Sequence, residues 1–238
     1  MTVILLRHGV STSNTARTLA GRSPGVELTE RGAEQAAAVA DRLAVLPIEH
    51  IASSPLLRCQ RTVAPLADKL GLEPECDERL IEVDYGDWTG RPLAELLTEP
   101  LWQVVQRHAS GAVFPGGEGL AQVQQRAVAA VREIDARLAA GASRDVLWVA
   151  CAHGDVIKSL LADAFGMHLD NFQRLAVEPA SISVVRYGTH GPTVWRYNDT
   201  GADLSGLAAG RPERPTPGGE VGPGAIADNG NAARRDSP

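Results

Sequence analysis

The sequence predicts a three-layer α/β/α fold, in which helices cover both faces of a mostly parallel central sheet. Two short and wholly apolar runs, residues 3–6 and 146–151, have the length and composition of buried strands. Helical patterns alternate with the predicted strands along the chain, as they do in parallel sheets. A histidine-glycine pair follows each apolar run. Ligands bind at the carboxyl ends of the strands in such sheets, so both histidines are predicted at a functional edge.

The first half of the chain contains two predicted helices and one further strand. Apolar and small residues at helical spacing predict a helix after Thr29, a candidate N-cap. Residues 48–53 are predicted to form the second strand. Residues 56–70 then predict a helix that ends at Gly71 and is kinked at Pro65.

The second half contains three predicted helices and a closing hairpin. Residues 93–108 form a helical stretch, and apolar positions between 123 and 138 trace one face of another helix. A third helix is predicted over 155–164. Residues 182–185 and 193–195 read as two strands joined by a glycine-bounded turn.

The composition divides the chain into a globular part and a tail. Residues 1–200 are predicted to form one domain, with 90–120 as a cap region. Residues 201–238 contain eight glycines, five prolines and no aromatic residue. Such a segment cannot bury enough apolar area to offset its ordering entropy, so it is predicted to be disordered.

Charge and hydropathy exclude several classes of protein. The 238 residues are 44% hydrophobic and carry a formal net charge of -6, a balance that disfavours nucleic-acid binding through bulk charge. The apolar N-terminus lacks the basic region and cleavage site of a signal peptide. Since no apolar run is long enough to span a bilayer, we expect a cytoplasmic protein without a membrane partner.

The cysteines point neither to a disulfide framework nor to a zinc site. Cys59, Cys76 and Cys151 are odd in number and show no CxxC spacing. The pattern favours reduced and mostly buried thiols.

The first candidate site segment is Arg7-His8-Gly9, directly after the first predicted strand. A neutral histidine is a competent nucleophile toward phosphorus, and arginine offers a planar fork for phosphate oxygens. Ser11 and Asn14 follow closely. Alone, the triplet favours the simpler interpretation of a strand that ends in a hydrogen-bonded histidine, because short motifs match by chance.

Two further segments predict anion binding. Arg58 lies in the first turn of a predicted helix, where the helix dipole disfavours a cation, so we expect it to face an anion. His153 and Gly154 lie where the second buried strand gives way to a helix, whose first backbone N–H groups form an anion site.

The fourth segment supplies a candidate acid. Glu82 lies among Leu80, Ile81 and Val83, and burial there would raise its pKa enough to protonate a leaving alkoxide. Asp84 is an alternative proton donor in the same segment.

In order and in context, these four segments resemble those of the histidine phosphatase family, also called the phosphoglycerate mutase-like family. The resemblance covers about residues 2–197. It implies that His8 is the phosphorylated nucleophile and Glu82 the general acid, without a metal or a cofactor. The residues it implies in phosphoryl or substrate binding are Arg7, Ser11, Asn14, Gly21, Arg58, His153 and Gly154.

The chain departs from the family pattern at three places that bear on substrate choice. Val10 stands where many relatives have Glu or Gln. Ala20 and Gly21 replace a threonine-glycine pair, which removes a hydroxyl. The glutamine-threonine-alanine run usual in the family appears here as Gln-Arg-Thr at residues 60–62, shifted by one residue.

Three functions fit these motifs, and hydrolysis of a small phosphomonoester is the leading one. A phosphoglycerate mutase-type phosphomutase is the alternative, although Arg107 is the only Lys or Arg residue in 93–118. A non-catalytic module that binds phosphorylated ligands would need no acid such as Glu82. The substrate and the oligomeric state stay open, with a homodimer as one alternative.

We expect several other conspicuous residues to have structural roles or no specific role. Trp88 and Trp102 are predicted to be packing residues of the cap. Residues 116–119 (Gly-Gly-Glu-Gly) are predicted to form a flexible lid or the start of a helix, because they lack the strand and lysine of a nucleotide loop. No role is predicted for His50, His108, His168 and His190.

Overall fold

A six-stranded sheet forms the centre of the computed structural model, which describes residues 1–201. The predicted tail lies outside these residues apart from Gly201. The strand order is β3-β2-β4-β1-β5-β6, and the first four run parallel while β5 and β6 are each antiparallel to the preceding strand in that order. The prediction of a mostly parallel sheet is therefore confirmed. The strands are β1 (Thr2–Arg7), β2 (Ile48–Ser53), β3 (Glu75–Cys76), β4 (Leu147–Ala152), β5 (Ile182–Gly188) and β6 (Gly191–Asp199).

Helices flank the sheet, and the strand side chains supply a core on each face. Along β1, Val3 and Leu5 pack in one hydrophobic cluster, whereas Ile4 and Leu6 pack in the other. Alternate side chains of a strand point to opposite faces, so this division identifies three layers. The helices are α1 (Thr12–Ala16), α2 (Glu30–Leu43), α3 (Leu57–Leu70), α4 (Leu93–Leu96), α5 (Pro100–Arg107), α6 (Leu120–Ala140) and α7 (Gly154–Ala164).

The helical stretch predicted over 93–108 is two helices, so that prediction is wrong in its continuity. α4 ends before residues 98–99, and Pro100 is the first residue of α5. Proline lacks a backbone N–H and clashes with the preceding turn, so it is better accepted at the first helical position than inside a helix. Pro65 lies inside α3, but that helix continues past it to Leu70. The sequence analysis also missed α1 and β3, which are five and two residues long.

The prediction of reduced and mostly buried thiols is confirmed. Cys59 and Cys151 are buried, whereas Cys76 is exposed on the edge strand β3. All three are free thiols.

The region predicted to be a cap contributes aromatic residues to the core. Trp88 and Trp102 are each 2% exposed and their rings stack with centroids 6.3 Å apart, which confirms their predicted packing role. Gly119 is the N-cap of α6, so the glycine-rich segment does start a helix. No helix within residues 1–201 is long and apolar enough to cross a membrane.

Candidate active site

The two histidines predicted at the sheet edge meet because β1 and β4 are neighbouring parallel strands. Arg7 pairs with Ala152 in register, and the His8 N–H donates to the Ala152 carbonyl over 3.2 Å. The rings of His8 and His153 then lie edge to face, with centroids 5.3 Å apart. The sheet thus joins residues that are far apart in the sequence.

His8 is held in the form of a nucleophile. It is 3% exposed, and its Nδ1 is 2.7 Å from the Gly9 carbonyl oxygen. A carbonyl only accepts, so Nδ1 carries the proton and Nε2 keeps its lone pair. Burial, with the positive charges of Arg58 and Arg7, lowers the pKa of His8 well below its ordinary 6.5. The ring is therefore neutral at pH 7.

Arg58 presents an unused donor in this site. It is 2% exposed in the first turn of α3, and its Nη2 donates to the Gly21 carbonyl over 2.9 Å. Its Nη1 is buried without a hydrogen-bond partner among residues 1–201. A buried and unpaired donor is costly unless a ligand satisfies it, as expected for a residue that receives an anion.

Arg7 is the second buried cation. Its side chain is fully buried and Nη1 donates to the Val177 carbonyl. Burial lowers the pKa of Arg7 to about 10, with Glu82 and Asp155 opposing the shift. The guanidinium remains charged at neutral pH.

His153 contacts Ser54, on the loop that leads into α3, and Cys59, in the first turn of α3. Its Nε2 lies 2.8 Å from Ser54 Oγ and 3.5 Å from Cys59 Sγ. Burial and the charge of Arg58 lower the pKa of His153 well below 6.5. His153 is also the N-cap residue of α7, so Gly154 is the first residue of that helix.

Glu82 is buried close to this histidine pair. It is 3% exposed; Oε1 accepts from the Val83 N–H over 2.9 Å, and Oε2 lies 3.9 Å from His153 Nδ1. Burial and the charge of Asp155 raise the pKa of Glu82 to about 7, although Arg58 and Arg7 act in the opposite direction. At neutral pH this carboxyl is an effective proton donor.

Asp84, the alternative acid, lies in a different environment. Its side chain is 40% exposed and its Oδ1 accepts from the Gly86 N–H over 3.0 Å. Its Oδ2 lies 3.6 Å from Arg22 Nη1. These contacts are those of a carboxylate that stabilises a turn.

The remaining predicted binding residues have local roles as well. Ser11 caps α1, and both its N–H and its hydroxyl donate to Asn14 Oδ1 over 2.9 Å. Gly21 contributes the carbonyl that orients Arg58.

Sequence reasoning missed several residues that surround the site. Tyr85 donates its hydroxyl to Asp155 Oδ2 over 2.8 Å, and both residues are fully buried. Asp155 and Lys158 are fully buried charged residues of α7, and their position within a largely apolar stretch was a readable signal. A second missed set surrounds the Glu82 backbone and consists of Arg22, Glu118 and Arg126. The position of Glu118 between glycines was the sequence signal for this set.

The four histidines without a predicted role lie elsewhere, and three of them have acidic neighbours. His50 is 3.3 Å from Glu75, while His108 and His168 are 3.1 and 3.3 Å from Asp170. Over residues 1–201, no three His, Cys, Asp or Glu side chains cluster in an arrangement that could hold a metal ion.

The sequence model of the histidine phosphatase superfamily, branch 1, matches residues 3–200. The chain belongs to this superfamily. A Yersinia pestis protein named "probable phosphoglycerate mutase GpmB" is 35% identical over 187 residues, covering 78% of this chain and 84% of that protein. The family predicted from the four motifs is therefore confirmed.

Solved structures of this superfamily share the fold. A mycobacterial glucosyl-3-phosphoglycerate phosphatase is 28% identical with a TM-score of 0.74, and the match covers 83% of this chain and 98% of that one. The alpha-ribazole phosphatase from Shigella flexneri is 24% identical with a TM-score of 0.72. The match covers 86% of this chain and 99% of that one, and it supports the fold alone. The predicted phosphoglycerate mutase-like fold is thus confirmed, and the predicted enzyme class, a phosphoric monoester hydrolase, agrees with the name of the mycobacterial neighbour.

Proposed function

We propose that residues 1–200 act as a phosphatase that hydrolyses a small phosphomonoester through a phosphohistidine on His8. One observation carries the proposal: a neutral histidine and a protonatable carboxyl meet at the end of two strands, beside a buried arginine with an unused donor. A binding module needs the arginine but neither the nucleophile nor the acid. The combination therefore favours catalysis over simple recognition.

The first half of the reaction transfers the phosphoryl group to the enzyme. His8 Nε2 attacks phosphorus, the bond from phosphorus to the leaving oxygen breaks, and Glu82 delivers its proton to that oxygen. Charge on the phosphoryl oxygens is stabilised by donors that are already in place, namely Arg7, Arg58 and His153.

The second half returns the enzyme to its starting state. Water attacks the phosphorus of phospho-His8 while the Glu82 carboxylate takes up one proton from it. The P–N bond breaks, inorganic phosphate leaves, and His8 and Glu82 recover their original protonation. No group besides water is consumed.

Ion pairing favours a leaving group without a carboxylate. Arg22 and Arg126, which contact the Glu82 backbone, both pair with Glu118, over 2.8 and 2.7 Å. Arg22 also lies 3.6 Å from Asp84, so two carboxylates balance the two guanidiniums. A phosphoglycerate-like substrate would need cations for its carboxylate, and these two are already paired. This supports a phosphorylated alcohol or sugar as substrate.

A phosphomutase is the second candidate, because sequence relatives carry that name. It would use the same transfer to His8 but would return the phosphoryl group to a product hydroxyl instead of to water. The two functions therefore differ in the acceptor and not in the first step.

One experiment tests both the role of His8 as the nucleophile and the identity of the group that accepts the phosphoryl group. Phosphate release is screened over sugar phosphates, phosphoglycerates, phosphoamino acids and nucleotides, with His8→Ala as the test variant and His168→Ala, a 68% exposed side chain, as the matched control. Radiolabelled substrate, stopped in alkaline detergent to preserve phosphohistidine, should label the control and not His8→Ala. Full activity in His8→Ala would exclude the covalent route, and isomer formation without phosphate release would identify a mutase.

A further inference from the structure

Three charged residues form hydrogen bonds to the backbone at and next to Glu82. They are Arg22, Glu118 and Arg126, which we call the acid clamp. They come from separate parts of the chain. Arg22 lies in the loop between α1 and α2, Glu118 lies just before α6, and Arg126 lies within α6. Neither the nucleophile nor the phosphate-binding residues belong to this set.

Glu118 is the centre of the acid clamp. Its Oε1 accepts from Arg22 Nη2 over 2.8 Å, from Arg126 Nη2 over 2.7 Å and from the Asp84 N–H over 2.9 Å. Its Oε2 accepts from Arg126 Nε over 3.1 Å. Glu118 is thus bonded to both arginines and to the acid segment itself.

Both arginines reach the same backbone atom, the Glu82 carbonyl oxygen. Arg22 Nε donates to it over 2.9 Å and Arg126 Nη2 over 3.2 Å. Arg126 Nη1 also donates to the carbonyls of Arg79 and Ile81, over 2.7 Å each. Three carbonyls of the acid segment are therefore tied to one guanidinium.

The glycine-rich turn brings Glu118 into place. A Cβ on Gly117 would lie 2.2 Å from the Asp84 carbonyl oxygen, and one on Gly86 would lie 2.0 Å from the Pro115 carbonyl oxygen. The Glu118 N–H also donates to the Asp84 carbonyl over 2.9 Å. Only glycine permits so close an approach of the two backbones, so the turn is a fixed support.

We propose that Glu118, acting through Arg22 and Arg126, is a positioning residue for the acid Glu82. The proposal rests on the proposed function, in which Glu82 is the proton donor. Among the described residues, the hydrogen bond to the Glu82 carboxyl comes from the next residue's N–H, and its other oxygen lies 3.9 Å from His153 Nδ1, so the location of the carboxyl depends on its backbone. Because a displacement of about 1 Å can reduce a rate about 10²-fold, a loosened backbone would impair proton delivery specifically.

The test compares two leaving groups in Glu118→Gln. We expect kcat/KM to fall about 10–10²-fold with an alkyl phosphate, and much less with p-nitrophenyl phosphate, whose leaving group departs without a proton. The matched control is Glu133→Gln, which removes an exposed carboxylate paired with Arg79 over 2.7 Å but leaves the Glu82 carbonyl untouched. That control should retain wild-type values with both substrates.

A double substitution separates positioning from a general structural effect. If Glu118 acts through Glu82, then Glu118→Gln should cause no further loss in a Glu82→Gln background. Equal losses with both substrates, or additive losses in the double variant, would overturn the proposal. Should Glu118→Gln fail to fold, Arg126→Lys, which keeps the charge and loses the fork, must show the same leaving-group dependence.

The two hypotheses fail in different ways. If Glu82→Gln itself shows no leaving-group dependence, the proton-donor role in the proposed function is wrong. If Glu82→Gln shows that dependence and the clamp variants do not, the proposed function stands and the positioning role of Glu118 is wrong.

Discussion

The pH dependence of hydrolysis is a direct consequence of how Glu82 is buried. Burial and Asp155 raise the pKa of Glu82 from an ordinary 4.5 to about 7. At pH 7 about half of such carboxyls carry a proton, whereas at a pKa of 4.5 only about 1 in 300 would. Since the protonated form is the donor, kcat/KM for an alkyl phosphate should fall about tenfold per pH unit above pH ~7.

The acidic side of the profile is set by the nucleophile. His8 must be neutral to attack, and burial with Arg58 and Arg7 lowers its pKa well below 6.5. Activity should therefore persist on the acidic side of pH 6.5, where an ordinary histidine is protonated. The second ionisation of an alkyl phosphate, near pH ~6, falls in the same range, so each variant is compared with wild type on the same substrate.

The assay measures kcat/KM between pH 5 and 9 for β-glycerophosphate and p-nitrophenyl phosphate, with wild type and Glu82→Gln. With β-glycerophosphate, the rate of Glu82→Gln at pH 6 should be lower than that of wild type by a factor of about 10²–10⁴. The decrease in kcat/KM above pH ~7, which is the alkaline limb of the profile, should be absent from this variant. With p-nitrophenyl phosphate the loss should be much smaller. An alkaline limb that survives in Glu82→Gln would refute the reasoning, because another group would then be the proton donor.

Four further predictions test other parts of the site. Asp84→Asn should leave the ratio of the two substrates unchanged, because its carboxylate stabilises a turn; a selective loss with β-glycerophosphate would make Asp84 the acid. Arg58→Lys keeps the charge but removes the fork, so kcat/KM should fall at least about 10²-fold with little change in thermal midpoint. Gly117→Ala should lower the free energy of unfolding by about 1–3 kcal/mol in denaturant titrations, whereas Gly141→Ala, with open space around its Cβ, should not. Chelators should leave phosphate release unchanged, since side chains neutralise the phosphoryl group; loss in EDTA with recovery on Mg²⁺ would contradict this.

Elements with a strong local pattern were predictable from the sequence. β1 and β4 are continuous apolar runs, and α2, α3 and α6 show helical spacing over at least 14 residues. The predictions failed where the signal was short or divided. α1 and β3 contain too few residues to show a period, and Pro100 separates two helices that share one apolar pattern.

The predicted site residues divide in the same way. His8 and His153 could be found because each follows a buried strand, and parallel neighbours deliver such residues to one edge. The choice between Glu82 and Asp84 could not be made from sequence, because they are two residues apart in one segment. Burial differs only in the tertiary structure, where Glu82 is 3% exposed and the Asp84 side chain is 40% exposed, and this difference supports the proposal of Glu82 as the acid.

The sequence by itself determined the three-layer fold and the two histidines at the sheet edge, because these follow from local patterns of apolar and polar residues, and the resemblance of its four motifs indicated the family. Only the tertiary structure decided which polar atoms are satisfied and which are left for a ligand. Among residues 1–201 Arg58 Nη1 is unpaired, and Glu118 joins Arg22 to Arg126, because segments up to about a hundred residues apart pack together. Burial and pairing are properties of those packed neighbours, and no window of the chain contains them.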